Sequence, residues 1–303
     1  MRVFLTGASG FIGANVTRTL LAAGCPVLAL ALPDDPFWRL QDVAGQITVL
    51  RGNLSDLPTL QPALAEWGPQ ACIHLAWYAE PGKYLHSSEN LSFLVSSLAL
   101  LEILTQIGCK QVVAAGTCAE YDTDWGYLRE GDPTRPATLY AAAKLSFGLL
   151  GQLMAAAAGI RFAWARIFYP YGPYEDKRRV VPALIHALLN CQPFPATKGE
   201  QVRDYIHVED VASAFWTLAE REGNGVFNIA SGVPVTVRQL LETVEELVSR
   251  RGLIQFGALP YRDWEPMFIC GDNQRLRNLG WSPRYTLREG IRQTVEWWRN
   301  LSP

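Results

Sequence analysis

The chain has 303 residues, of which 49% are hydrophobic and 18% charged, and its formal net charge at pH 7 is -2. This length suits one large domain or two closely joined domains. The near-neutral charge gives no electrostatic basis for binding nucleic acid or an anionic membrane, and we find no uninterrupted apolar run of membrane-spanning length. We therefore expect an α/β protein whose partners are small molecules.

The cysteines and histidines are scattered along the chain. The six cysteines include no Cys-x-x-Cys pair, and the four histidines show no ligand spacing. We therefore predict buried, reduced thiols and no metal site. The chain begins directly with an apolar strand, which leaves no room for a signal peptide, so we expect a cytoplasmic location.

The first predicted elements are a strand, a glycine-rich turn and a helix. Residues 2–6 form an apolar run of strand length that breaks at Gly7, and helical apolar spacing follows from residue 11 onward. This order of elements presents backbone N–H groups and the positive end of a helix to a diphosphate. The residues that we assign to dinucleotide binding here are Gly7, Gly10, Phe11, Ile12 and Gly13.

The second predicted strand, residues 26–32, bears on the choice of cofactor. Folds that prefer NAD usually place an acid at the end of this strand to hold the ribose 2′-hydroxyl. Ala31 stands at that position, with acids only at Asp34 and Asp35 and a base at Arg39. The missing acid removes a group that would repel a 2′-phosphate, and Arg39 could reach such a phosphate. The sequence therefore favours NADP, with NAD as the alternative.

Strands and helices then alternate without interruption. We predict strands at 46–50, 71–76, 110–115 and 161–168, with long helices at 85–107 and 139–158. This alternation predicts a Rossmann-type doubly wound parallel sheet. Ligands collect at the carboxyl ends of such strands. The residues that we assign to the cofactor site on this basis are Asn53, Leu54, Leu75 and Ala76.

The composition changes after Phe168, where a cluster of helix- and strand-breaking residues occupies 169–173. We predict a Rossmann domain at 1–168, to which 207–230 return as one more helix and strand. A smaller C-terminal α/β substrate domain is predicted at 169–206 and 231–303.

Tyr140 and Lys144 form the only Tyr-x-x-x-Lys of the chain, one helical turn apart and therefore on the same helix face. A phenol with a pKa of about 10 is a poor acid or base near neutrality. A neighbouring cation, together with the positive charge of nicotinamide, favours the phenolate. Tyr140 could then exchange a proton with a carbonyl or alcohol while a hydride moves to or from the cofactor, and Thr117 would orient the oxygen.

The glycine turn, Thr117 and the Tyr140–Lys144 pair together resemble the extended short-chain dehydrogenase/reductase family, in particular its nucleotide-sugar epimerase/dehydratase group. The similarity extends to residues 199–212 and 279–283. It implies an enzyme with NAD or NADP as cofactor and a nucleotide-diphosphate sugar as substrate. It also implies a homodimer, formed by pairing the helices at 85–107 and 139–158 across a two-fold axis.

The resemblance also implies a substrate site. It assigns diphosphate contacts to Arg203 and to an arginine in the region of Arg262, whose planar guanidinium suits phosphate oxygens. In the sugar 4,6-dehydratases an Asp-Glu pair follows the active-site threonine, whereas this chain has Cys118 and Ala119. These side chains cannot eliminate water, which argues against dehydration. Tyr169 replaces the usual asparagine, and we assign it and Cys118 to the substrate site.

Two net reactions remain open. A ketoreductase would exchange NAD(P)H at each turnover, and an epimerase would retain NAD and return the hydride to the opposite face. Ala31 removes the ribose clamp that a retained cofactor requires, so the sequence favours a 4-ketoreductase acting on an NDP-4-keto-6-deoxy sugar. An NAD-dependent nucleotide-sugar 4-epimerase is the alternative. A non-catalytic dinucleotide-binding protein is the third hypothesis.

Overall fold

A computed structural model of the protein describes residues 1–262 and 265–301. Its strands are β1 (Val3–Thr6), β2 (Val27–Ala31), β3 (Thr48–Arg51), β4 (Ala71–His74), β5 (Gln111–Thr117), β6 (Tyr127–Leu128), β7 (Arg161–Ile167), β8 (Tyr169–Tyr171), β9 (Phe194–Ala196), β10 (Val202–His207), β11 (Gly225–Ile229), β12 (Pro234–Thr236), β13 (Ile254–Phe256) and β14 (Cys270–Gly271). Its α-helices are α1 (Phe11–Ala22), α2 (Leu57–Trp67), α3 (Glu89–Gln106), α4 (Leu139–Ala158), α5 (Val180–Leu189), α6 (Val208–Glu220), α7 (Val237–Val248), α8 (Gln274–Arg277) and α9 (Leu287–Leu301).

A seven-stranded parallel sheet forms the centre, in the order β11-β7-β5-β4-β1-β2-β3. Successive residues of its strands point to opposite faces, so Leu5 packs in a core with α1 and α6, whereas Phe4 packs in a core with α2, α3 and α4. Helices on both faces of a parallel sheet confirm the predicted doubly wound Rossmann-type fold. The strand order reverses between β1 and β4, which is where such sheets bind ligands.

A second group of elements lies beyond the carboxyl edge of the sheet. It includes a three-stranded sheet in the order β12-β10-β8, the pair β13-β9, and a separate core that contains Leu184, Leu240 and Ile291. Leu276 and Trp281, by contrast, pack in a core of the central sheet. The C-terminal part of the chain is therefore shared between the two cores. The residues of the predicted substrate domain that lie outside the described ranges are Asp263, Trp264, Ser302 and Pro303.

Several boundaries differ from the predicted ones. Residues 116–117, predicted as loop, extend β5, and residues 118–120 form a 3₁₀ helix. A strand, β8, replaces the predicted breaker cluster because it pairs with β10, which is distant in sequence. Pro170 is tolerated there because β8 is an edge strand. Helix α3 begins at Glu89, four residues later than predicted.

By length and composition alone, helix α4 is long and apolar enough to cross a membrane. The sequence analysis did not identify it, because its apolar run is interrupted by polar residues. In this fold, α4 packs against β5, β7 and α3. It also carries the buried side chains of Phe147 and Lys144. It is thus a structural helix of the α/β core.

The contact between Gly13 and the glycine turn provides a test of the fold. A Cβ atom on Gly13 would lie 1.9 Å from the Gly7 carbonyl oxygen, so the backbone would have to shift. We expect Gly13→Ala to destabilise the protein by about 1–3 kcal/mol and to lower its Tm in thermal unfolding followed by circular dichroism. Gly45→Ala is the matched control, because a Cβ there meets nothing within 4 Å. Equal melting temperatures of the two variants would contradict the close contact between Gly13 and the Gly7 carbonyl.

Candidate active site

The glycine turn connects β1 to α1 and has the shape of a phosphate cradle. Gly7 has a φ of +73°, and a Cβ there would lie 2.8 Å from the Ala76 nitrogen, so both conformation and space require glycine. Space remains open in front of Gly10, where a Cβ would meet only the Gly7 carbonyl oxygen, at 3.2 Å. The first turn of α1 has no acidic residue and no capping side chain. Its N–H groups therefore fit a dinucleotide diphosphate.

The other predicted cofactor residues lie along the same edge of the sheet. Leu75 and Ala76 follow β4, and their backbone N–H groups donate to the carbonyl and the hydroxyl of Thr6 at 3.2 Å. Asn53 and Leu54 follow β3, where the Asn53 side chain caps a 3₁₀ helix by accepting a bond from the Ser55 N–H. Phe11 and Ile12 begin α1. The fold thus gathers the predicted cofactor residues at one edge.

Arg39 lies beside the glycine turn. Its Nε donates to the Tyr174 carbonyl at 2.9 Å, its Nη1 donates to the Ser9 carbonyl at 3.3 Å, and its guanidinium lies over the Trp38 ring. Burial lowers the pKa of Arg39, which the charges of Asp176 and Asp35 oppose. Arg39 is thus close to the predicted cofactor site, and these contacts tie it to main-chain carbonyls.

Thr117 occupies the last position of β5 and is held by a buried carboxylate. The Glu120 side chain accepts from the Thr117 N–H at 2.8 Å, from Trp164 Nε1 at 2.9 Å and from Arg166 Nε at 2.7 Å. The Thr117 hydroxyl in turn accepts from the Ala119 N–H at 3.2 Å, which completes a capping box. The Thr117 side chain therefore has a fixed orientation at the carboxyl edge.

Tyr140 lies in the first turn of α4, and its phenol is close enough to the Thr117 side chain for the two to interact. Burial raises the pKa of the Tyr140 phenol, the neighbouring Tyr84 phenol raises it further, and the Thr117 side chain opposes both effects. The lowered phenol pKa predicted from the sequence is thus not found in the protein alone. Tyr84 packs edge-on against Tyr140, with their ring centroids 4.8 Å apart.

Lys144 is buried one turn further along α4. Its Nζ donates to the Ala115 carbonyl at 2.9 Å and lies 3.8 Å from the centroid of the Trp77 ring. Burial lowers the pKa of Lys144 to about 7, and the Glu120 carboxylate opposes this shift.

Three of the four predicted substrate residues lie close together, and the fourth, Arg262, lies at the surface. Arg203 is buried, forms an ion pair with Glu265, and lies over the Tyr169 ring at 5.4 Å from its centroid. Cys118 is buried within electrostatic range of Arg203, and burial raises the pKa of its thiol to about 12. Arg262 is exposed, and its carbonyl accepts from the Glu265 N–H at 3.0 Å. The structure thus joins Cys118, Tyr169 and Arg203, with Arg262 at the periphery.

Sequence reasoning did not assign Trp77, Tyr84 or Glu120 to the site, although the segment at 77–84 carries three aromatic residues. Contacts with Lys144 and Tyr140 place Trp77 and Tyr84 there. The charged residues of the same segment pair with each other and with a facing loop, since Glu80 contacts Lys83 at 3.0 Å and Arg178 at 3.6 Å.

His74 is a core residue rather than part of the candidate site. Its ring nitrogens bond to the hydroxyls of Thr6 at 2.7 Å and Ser97 at 2.9 Å, and burial lowers the pKa of the imidazole to about 3. Among the described residues, no group of three or more His, Cys, Asp or Glu side chains could hold a metal ion.

The buried amine of Lys144 predicts a pH-dependent effect on stability. The unfolded chain keeps this proton up to about pH 10, whereas the folded protein loses it near pH 7. Burial of the charge therefore destabilises the fold most below pH 7, and this penalty declines as the pH rises from 7 towards 10. We expect Lys144→Met to raise the Tm at pH 6 and to raise it less at pH 9. The exposed Lys110→Met is the control, and an equal gain at both pH values would contradict the prediction.

Comparisons with known proteins agree with this geometry. Residues 3–230 match the model of the NAD dependent epimerase/dehydratase family. The chain is 27% identical to a UDP-glucose 4-epimerase of Corynebacterium glutamicum, over 94% of this chain and 92% of that protein. It is 24% identical to a dTDP-4-dehydro-6-deoxyglucose reductase of Escherichia coli, over 97% of this chain and 96% of that protein.

Among solved structures, the chain is similar to a Thermus thermophilus UDP-glucose 4-epimerase in complex with NAD. The two share 28% sequence identity and a TM-score of 0.83, over 99% of each chain. The family model covers well over half of the chain, and the cradle at Gly10 fits the dinucleotide that such relatives bind. The chain therefore belongs to the NAD-dependent epimerase/dehydratase family, a group of extended short-chain dehydrogenase/reductase enzymes that act on nucleotide sugars.

Proposed function

We propose that this enzyme is a nucleotide-sugar 4-ketoreductase, which reduces the keto group of an NDP-4-keto-6-deoxy sugar with exchangeable NAD(P)H. The observation that carries the proposal is the position of the Tyr140 phenol in the first turn of α4, beside Thr117 at the end of β5, where burial raises its pKa. Such a phenol is protonated at neutral pH and acts as an acid. Ketone reduction needs an acid at its reacting oxygen, whereas alcohol oxidation needs a base.

The surrounding residues support reduction in the same way. A bound nicotinamide dinucleotide would supply the hydride, and the Tyr140 phenol would donate its proton to the oxygen of the ketone. The Thr117 hydroxyl, fixed by its capping box, would orient that oxygen. Lys144, one helical turn further along α4, would stabilise the phenolate that this transfer leaves when its amine is protonated. Cys118 and Ala119 offer no acid–base pair for elimination of water.

The alternative is a 4-epimerase, which is favoured by the names of several relatives, among them the Corynebacterium glutamicum protein. The same three side chains would then first remove a proton and later return it. A non-catalytic dinucleotide-binding protein has less support, because the threonine, tyrosine and lysine are all present. The relative named as a dTDP-4-dehydro-6-deoxyglucose reductase is consistent with the proposed 4-ketoreductase.

One experiment separates the two reactions. The purified protein is incubated with 4-keto-6-deoxy nucleotide sugars and either NADH or NADPH, and loss of absorbance at the reduced nicotinamide band is followed. In parallel, denatured protein is analysed for released NAD. Stoichiometric bound NAD, together with epimerisation of a nucleotide sugar without added cofactor, would replace the reductase by the epimerase.

The role of Tyr140 can be tested in the same assay. We expect Tyr140→Phe to lower kcat by about 10²–10⁴-fold, because only the proton donor is lost, while dinucleotide affinity stays near that of the parent enzyme. Tyr127→Phe removes the same atom from an exposed tyrosine and should leave kcat unchanged. A Tyr140→Phe enzyme with near-parental kcat would assign proton transfer to another group.

We also propose that the protein is a homodimer that pairs α3 and α4 across a two-fold axis. These helices pack side by side, and their outer face exposes large apolar side chains. Leu91 and Val95 on α3 are 51% and 66% exposed, and Leu149 and Leu153 on α4 are 55% and 71% exposed. A shared interface would bury this surface.

The proposed interface predicts the effect of a charge on α4. Light scattering at micromolar concentration should give the mass of a dimer for the parent protein and that of a monomer for Leu153→Glu. Val233→Glu introduces the same charge at an apolar residue that is 58% exposed and lies outside both helices, so this variant should stay dimeric. A monomeric parent protein would remove the proposal.

A further inference from the structure

We propose that Asp35 recognises the adenosine ribose of the cofactor and makes this enzyme prefer NADH to NADPH. The inference concerns the cofactor site alone, so it holds for a reductase and for an epimerase equally. In the sequence, the absence of an acid at position 31 favoured NADP. In the fold, Asp35 supplies the carboxylate that Ala31 lacks.

The Asp35 carboxylate lies at the glycine turn. Its Oδ2 accepts a hydrogen bond from the Ser9 hydroxyl, and Ser9 stands between Gly7 and Gly10 in the phosphate cradle. Its Oδ1 accepts from the Phe37 N–H at 2.9 Å. Both carboxylate oxygens are therefore anchored, and one of them is anchored on the turn that would hold the diphosphate.

The loop after β2 is built so that it folds back to this point. Arg51 Nη1 donates to the carbonyls of Leu32 at 2.9 Å, Pro33 at 3.3 Å and Asp35 at 3.1 Å. Phe37 is buried in the left-handed conformation, with a φ of 51°, and the Arg51 guanidinium covers its ring. These contacts bring a carboxylate from beyond the end of β2 into the region that an acid at Ala31 would have served.

The position of this carboxylate selects between the two cofactors. A dinucleotide on the glycine turn places its adenosine ribose beside the end of β2. A carboxylate there accepts hydrogen bonds from the ribose hydroxyls of NADH, whereas it repels the additional phosphate of NADPH. The hydrogen bond from Ser9 occupies only one lone pair of the Asp35 carboxylate. The carboxylate therefore keeps other lone pairs that can accept hydrogen bonds from the ribose.

Two cations lie nearby and could oppose this selection. Arg39 uses Nε and Nη1 on the carbonyls of Tyr174 and Ser9, and Arg51 uses Nη1 on three carbonyls of the loop. Both guanidinium groups thus brace the backbone around the turn. These bonds fix both guanidinium groups against the backbone, whereas the Asp35 carboxylate already faces the turn.

The test is a titration of the full-length protein, freed of copurifying nucleotide, with NADH and with NADPH, followed by nicotinamide fluorescence without any sugar. We expect the parent protein to bind NADH at least about tenfold more tightly than NADPH. Asp35→Asn should weaken NADH binding, strengthen NADPH binding and reduce the affinity ratio by about tenfold or more. Because no turnover is measured, the result is independent of which reaction the enzyme catalyses.

The matched control is Asp34→Asn, which removes the same charge one residue away from an exposed position. We expect this variant to keep the parental affinity ratio. If Asp35→Asn fails to fold, Ser9→Ala tests the proposal instead, since it removes the anchor of the carboxylate and should also reduce the ratio. A parent protein that prefers NADPH, a ratio unchanged in the Asp35 and Ser9 variants, or an equal effect of Asp34→Asn would overturn the proposal.

Discussion

The site depends on one buried carboxylate, that of Glu120. It receives hydrogen bonds from the Thr117 backbone, the Trp164 indole and the Arg166 guanidinium, which belong to β5 and β7. A buried charge is costly unless its hydrogen bonds are satisfied, and here three donors do so. Loss of the Arg166 cation would leave this buried carboxylate without its ion-pair partner. The hydrogen bonds to Glu120 thus hold the end of β5 in place at the candidate site.

The same carboxylate links the sheet to α4. Trp164 reaches Glu120 only because two glycines make room for its ring: a Cβ on Gly116 or on Gly148 would lie 2.7 Å from it. Gly148 is on α4, so this helix approaches the sheet closely at the turn that follows Lys144. Close packing of α4 on β5 and β7 thus brings a phenol and an amine to the edge where Thr117 ends its strand.

Much of this arrangement was predictable because its signals are local. Three signals carried the prediction: the glycine turn, the alternation of strands and helices, and the spacing of Tyr140 and Lys144. Each of them depends only on residues close to one another in the sequence. The pairing of β8 with β10 and the contact of Trp77 with Lys144 join residues far apart in sequence, and periodicity carries no information about them. The raised pKa of Tyr140 in the protein alone was not predictable, because spacing reveals a neighbouring amine but not the burial of both groups.

The burial of Cys118 has a consequence for the chemical durability of the enzyme. Thiols react with oxidants and alkylating agents as thiolates. Burial raises the pKa of the Cys118 thiol to about 12, so the thiol is protonated at neutral pH. The family's dehydratases carry a charged acid next to the threonine, whereas this chain carries a sulfur atom that is neutral and shielded. A buried, protonated thiol reacts more slowly with oxidants than an exposed thiolate, so we expect Cys118 to resist oxidation.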